Sequence, residues 1–131
     1  MKNELKYSIK KLNEATIRLD EGLKIVNDEL GEDGVIQRFE FTFELLWKTL
    51  KLFLEDKGIL CQSPKDCLKA AFKYGLFSDD ELYLNMLVDR NNTSHIYNHE
   101  DSRIIYLRIK NEYAKAINSL QEKIETQVET D

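Results

Sequence analysis

The sequence predicts an all-α protein: an antiparallel up-and-down four-helix bundle with one additional short helix. Three observations carry that prediction. The 131 residues include one proline and five glycines, too few chain-breakers for a turn-rich sheet protein. Charged residues make up 33% of the chain, which marks a solvated surface. Apolar residues recur every three or four positions through most of the sequence, the period of a helix with one buried face. The length suits one domain with one core, taken as residues 1–125, with a frayed tail at 126–131.

The first helix is read over residues 3–30. Leu5, Ile9, Leu12, Ala15, Leu19, Leu23, Val26 and Leu30 follow a near-heptad stagger, the spacing of a bundle seam. Gly31-Glu32-Asp33-Gly34 is read as its stop. A second helix follows from about Val35 to Lys57, with Val35, Phe39, Phe43, Leu46, Leu50 and Leu54 as its stripe, broadened by Trp47 and Phe53. Gly58 supplies the left-handed terminator. Phe41 and Leu45 point away from that stripe, so this helix either touches a second subunit or fills the core of a monomer; the two alternatives stand equal.

Ser63-Pro64 is a helix start, with serine as cap and proline at the first helical position. The short helix carries Cys67, Leu68, Ala71 and Phe72 and ends at Gly75. Ser78 and Glu81 form a capping box for a fourth helix with Leu82, Met86, and Leu87 or Val88 inward. Residues 100–125 then form the last helix through Ile105, Ile109, Tyr113, Ala116, Leu120 and Ile124, with Glu100-Asp101 suited to its N-terminus.

A net charge of −5 argues against broad adhesion to nucleic acid or membranes, which needs a basic face. The N-terminal residues lack the apolar core of a signal peptide and no apolar run spans a bilayer, so a cytoplasmic location is expected. Cys61 and Cys67, with no second pair and no nearby histidine, are expected to be reduced and structural rather than zinc-binding or catalytic.

The helical pattern gives way at Asp89-Arg90-Asn91-Asn92-Thr93-Ser94-His95-Ile96-Tyr97-Asn98-His99, which holds both histidines of the chain. Arg90 and His95 are five apart, about 140° around an ideal helix. They face one cleft only if the helix ends or distorts at Asn91-Asn92-Thr93-Ser94, whose short polar side chains compete for backbone bonds. Such a pair suits phosphodiester chemistry. A guanidinium holds a phosphate in a fork and stabilises charge on its oxygens. An imidazole titrating near neutrality removes a proton from a ribose 2′-hydroxyl or donates one to the leaving oxygen. No metal is required, and the segment offers too few ligands to hold one. The alternative is structural: Arg90 paired with Asp89 or another acid, His95 a helix cap or core residue, Tyr97 a packing residue. His99 is expected as an exposed loop residue.

Arg90-x4-His95 resembles the R-x4–6-H signature of the HEPN (higher eukaryotes and prokaryotes nucleotide-binding) domains. With Tyr97 the form becomes R-x4-H-x-Y, similar to HepT-like toxins encoded beside a minimal nucleotidyltransferase. Arg38-Phe39-Glu40-Phe41-Thr42-Phe43-Glu44-Leu45-Leu46-Trp47-Lys48 resembles the second helix of the nucleotidyltransferase substrate-binding protein branch. Ser63-Pro64, Ala71-Phe72, Gly75-Leu76 and Met86-Leu87 extend the match over roughly residues 5–120. Where many relatives carry an aromatic such as Trp before the Met-Leu pair, this chain has Tyr83 and Leu84.

The resemblance implies a homodimeric bundle that pairs with a small nucleotidyltransferase subunit, often as a heterotetramer. In the toxin branch Arg90 and His95 would be catalytic residues of a ribonuclease at the dimer cleft. Asn91 and Ser94 would support them, and Tyr97 would accept the nucleotidyl groups that silence the toxin. RNA would be the substrate, with neither DNA nor a membrane as partner and no cofactor. In the other branch the chain would be a non-catalytic subunit that helps a split nucleotidyltransferase hold its acceptor.

Overall fold

The computed structural model describes residues 2–130, with side chains through Glu129. Helix α1 spans Asn3–Ile25, α2 Glu29–Asp56, α3 Pro64–Tyr74 and α4 Asp80–Asn92. A single 3₁₀ turn, Thr93–His95, separates α4 from α5, His99–Arg108. A π turn, Ile109–Tyr113, joins α5 to α6, Ala114–Thr130. Among the described residues there is no strand, and no helix is long and apolar enough to cross a membrane.

Helix α2 is the centre of the bundle and contacts α1, α3, α4, α5 and α6. Its stripe disappears into the core: Phe39, Phe43, Leu46, Leu50, Phe53 and Leu54 have no exposed surface. Three cross-links set the direction of α1 against it. Ser8 Oγ lies 2.6 Å from Thr49 Oγ1, Thr42 Oγ1 donates to the Ala15 carbonyl at 3.4 Å, and Arg38 Nη1 donates to the Arg18 carbonyl at 2.7 Å. Rising numbers on one helix meet falling numbers on the other, so α1 and α2 are antiparallel. The same logic makes α4 antiparallel to the final rod: Tyr83 donates to the Ala116 carbonyl and Asp89 accepts from Arg108. Four long elements running up and down, with α3 as the short addition, reproduce the expected architecture.

The first helix boundary differs from expectation. Residues 31–34 do not stop α1; they lie in the opening turns of α2. The chain turns earlier, where Val26 leaves the helix at ψ 131° and Asp28 takes the N-cap position, accepting the Gly31 N–H at 2.7 Å. Glu29 and Glu32 then occupy the positive end of the helix dipole. Leu30, assigned to the inner stripe of the first helix, is 79% exposed. The fourth helix is capped one residue later than expected, by Asp79 accepting the Leu82 N–H at 3.0 Å. At its inward face Leu87 is buried and Val88 exposed.

The cysteines also depart from expectation: Cys61 and Cys67 form a disulfide, not a reduced pair. Ser63 caps α3, accepting from the Asp66 N–H at 3.2 Å, and the reversal it imposes brings the two Cα atoms to 5.2 Å. Gly58 and Gly75 adopt φ of +80° and +99°, the left-handed terminators expected of them. The last helix continues through Thr130, and Val128 packs against the core, within the segment expected to fray.

Candidate functional site

The segment 89–99 crosses from α4 to α5, and its shape follows from local hydrogen bonds. Thr93 Oγ1 donates to the Arg90 carbonyl at 2.8 Å, competing for the backbone at the point where α4 tightens into the 3₁₀ turn. Ile96 is extended, at φ −86° and ψ 113°, and its side chain packs against the core. Neighbours of an inward residue in extended chain point outward. His95 and Tyr97 are accordingly exposed, Tyr97 at 80%. Asn98 closes the crossing by capping α5, accepting the Asp101 N–H at 2.9 Å. The helix therefore ends between Arg90 and His95, as their spacing required.

Arg90 turns toward α2. Its Nη2 pairs with Glu44 Oε2, and its Nη1 donates to Asn91 Oδ1 at 3.3 Å. Lys48 Nζ sits 3.4 Å from the other oxygen of Glu44. His95 is paired differently: its Nδ1 lies 3.3 Å from the Tyr97 hydroxyl, which leaves Nε2 as its outward nitrogen. Arg90 and His95 thus share one short crossing but no hydrogen bond. Asn91 touches Arg90, whereas Ser94 is exposed and makes no side-chain hydrogen bond among the described residues. His99 is not a loop residue. It begins α5, with Nε2 3.5 Å from Glu32 Oε1, beside Arg103 Nη1 at 2.6 Å from Glu32 Oε2.

Asp89 is 6% exposed and does not pair with its neighbour Arg90. It accepts from Arg108 Nη1 at 2.8 and 3.0 Å and from the Tyr113 hydroxyl. Burial and then the bond to Asp89 push the Tyr113 phenol well above its usual range. Its own hydrogen bonds to Asp89 raise the Arg108 guanidinium further. This cluster anchors the end of α4 to the π turn, where the Ala114 N–H reaches back to the Ile109 carbonyl. Arg90 is thereby carried on a helix end fixed at its buried face.

The sequence reading missed Asp89, Arg108, Tyr113 and Glu44 as partners. Asp89 left a signal, since it follows Leu82 and Met86 at i+7 and i+3, an acid on an apolar stripe. Glu44 left none, because its partner is 46 residues away.

The family model for nucleotidyltransferase substrate binding protein like chains matches residues 3–126. The chain belongs to this family. A probable ribonuclease HepT of Haemophilus influenzae is 35% identical over 81 residues, covering 58% of this chain and 56% of that protein. The chain thus spans little more than half the length of that curated relative. A crystal structure of a Thermus thermophilus protein superposes with a TM-score of 0.78 at 35% identity, over 86% of this chain and 98% of the other. A Haemophilus influenzae structure, described as revealing the fold of a substrate binding domain of a nucleotidyltransferase, superposes with a TM-score of 0.66 over 94% of this chain and 98% of that one. Its identity of 24% makes it evidence for the bundle fold alone.

Proposed function

We propose that this protein is the helical subunit of a pair with a minimal nucleotidyltransferase, and that its homodimer is a metal-independent ribonuclease toxin silenced by nucleotidylation of Tyr97. The observation that carries this reading is the exposed Tyr97 hydroxyl, 3.3 Å from Nδ1 of His95. A hydroxyl in that place is reachable by a modifying enzyme and adjoins the one imidazole of the motif. The family membership and the HepT relative support the same reading.

In the cleavage step the ribose 2′-oxygen attacks phosphorus and the bond to the 5′-oxygen breaks, leaving a 2′,3′-cyclic phosphate and a 5′-hydroxyl. Arg90 binds the non-bridging oxygens. His95, through Nε2, takes the 2′-hydroxyl proton or gives one to the leaving oxygen, and a second motif across a twofold axis supplies the complementary role. The Tyr97 contact fits both roles. As base, the neutral ring carries its proton on Nδ1, donated to the Tyr97 oxygen, and leaves Nε2 free to accept. As acid, the doubly protonated ring keeps that Nδ1 bond and donates from Nε2. A nucleotidyl group on Tyr97 replaces the phenol proton and sets a phosphodiester anion against the ring.

The purified, unmodified dimer is expected to cut bulk transfer RNA, and His95→Ala to abolish cutting while retaining the thermal midpoint of the parent. Coexpression with an active partner is expected to add nucleotidyl masses to the peptide containing Tyr97, and not in Tyr97→Phe. Equal cleavage by the parent and His95→Ala, or no cleavage by unmodified protein, refutes the ribonuclease.

The second reading is a non-catalytic subunit that holds the acceptor for its nucleotidyltransferase. Its support is the family description and the Arg90 guanidinium, which is already neutralised by Glu44. It requires the partner's transfer rate or acceptor affinity to rise when this chain is added.

A further inference from the structure

Glu44 stands at the centre of a three-residue array. One of its oxygens pairs with Arg90 Nη2, and the other lies 3.4 Å from Lys48 Nζ. Glu44 and Lys48 are one helical turn apart on α2, so they share a face, and Arg90 reaches them from the end of α4. Lys48 is the outermost member, with its side chain 57% exposed against 32% for Glu44 and 32% for Arg90. Two cations around one carboxylate leave a local excess of one positive charge on a chain whose net charge is −5.

We infer that Lys48 is a second phosphate-binding residue beside Arg90, and that Glu44 is the positioning residue that aims Arg90; this rests on the RNA-directed function proposed above. Two of the five guanidinium N–H donors of Arg90 are engaged, by Glu44 and Asn91. The plane of the guanidinium is therefore set before any phosphate arrives, and the remaining donors can turn to its oxygens. Lys48 supplies a mobile point charge at the solvent edge, suited to the neighbouring phosphate of the strand rather than to the reacting one. Glu44 acts in two opposed ways: its bond orients Arg90, and its own charge repels the ligand. Its removal must separate these effects, which a merely structural carboxylate would not do.

The test uses full-length homodimer, with bulk transfer RNA as the probe, in two arms. Binding is measured with the His95→Ala protein between low and moderate salt, and turnover with His95 intact. Lys48→Gln is expected to weaken binding about 3- to 10-fold and to reduce the slope of log affinity against log salt by about one, with kcat unchanged and Lys48→Arg restoring most of the loss. Lys69→Gln, on α3, is the equal-charge control. Glu44→Gln is expected to tighten binding and lower KM while kcat falls about tenfold or more. Matching effects of Lys48→Gln and Lys69→Gln, or weaker binding by Glu44→Gln, overturn the inference. RNA bound as expected but never cut overturns the ribonuclease and leaves the array standing. RNA cut with binding indifferent to Lys48 and Glu44 overturns the array alone. No RNA bound overturns both.

Discussion

Replacing Asp89 with asparagine keeps the shape of a nearly buried side chain and removes its charge. In the parent, both carboxylate oxygens accept: Arg108 Nη1 contacts each, and the Tyr113 hydroxyl adds a third bond. Asparagine offers one acceptor oxygen and an amide that points donor at donor. One buried donor is left unmatched, at about 1–3 kcal/mol. The lost ion pair contributes no more than about 1 kcal/mol, because the Arg108 side chain is 49% exposed and screened by water. The sum is about 3 kcal/mol, or a thermal midpoint lower by about 10 °C for a domain of this size. Tyr113→Phe alone removes one hydrogen bond, about 1–2 kcal/mol. Urea titrations of the parent, both single variants and the double variant complete the cycle. A coupling of about 1 kcal/mol is expected, since the second substitution acts on a bond already broken. Additivity within about 0.4 kcal/mol, or an Asp89→Asn midpoint equal to the parent's, would refute the view that this cluster pins α4 to the π turn.

Two further outcomes concern stability. Burial, and then the charge of Asp79, raises the Tyr83 phenol to about 12, and Tyr113 is raised as well. Folded tyrosines therefore hold protons that the unfolded chain releases above about pH 10, so stability is full below that pH. It declines as pH rises, by about 1.4 kcal/mol per unit for each group. Tyr83→Phe and Tyr113→Phe should each flatten the alkaline limb of a midpoint-against-pH profile; an unchanged limb would contradict the assignment. Reduction of the Cys61–Cys67 bridge, which closes a loop of six residues' separation, should cost about 2 kcal/mol by loop entropy. Thermal melts with and without dithiothreitol read this directly, and Cys61→Ala should match the reduced parent. Coincident melts in both conditions would refute it.

The parts of the fold legible in the sequence were those set by local chemistry. The stripe of α2, the Ser63-Pro64 start and the terminators Gly58 and Gly75 depend on residues within one or two turns of each other. The break between Arg90 and His95 was legible for the same reason, since Thr93 competes with its own helix. Gly31 and Gly34 misled because glycine usually marks an end. Here the Asp28 cap and the acidic Glu29 and Glu32 outweigh it, and that acidic first turn was the overlooked signal. The cysteine pair was read by composition, whereas its pairing follows from the reversal at Ser63. The site was legible as a list of residues but not as an arrangement. Which acid Arg90 meets, and which arginine Asp89 meets, depend on helix packing across 46 and 19 positions, and no period in the sequence encodes that.

The π turn at Ile109–Tyr113 holds one residue more per turn than the helices on either side. It works as a phase shifter. The buried set of α5, Ser102, Ile105 and Tyr106, and that of α6, Ile117, Leu120 and Ile124, need not obey one continuous helical count. A one-residue deletion within 109–113 should convert the rod to a uniform helix and leave the buried face of α6 in place, whereas one in a regular turn would rotate α6 by about 100° relative to α5. A deletion elsewhere in the rod would have to break a helix that has no such slack. The joint is thus the place where this rod can gain or lose a residue in evolution, and where a length variant of the family should be sought first.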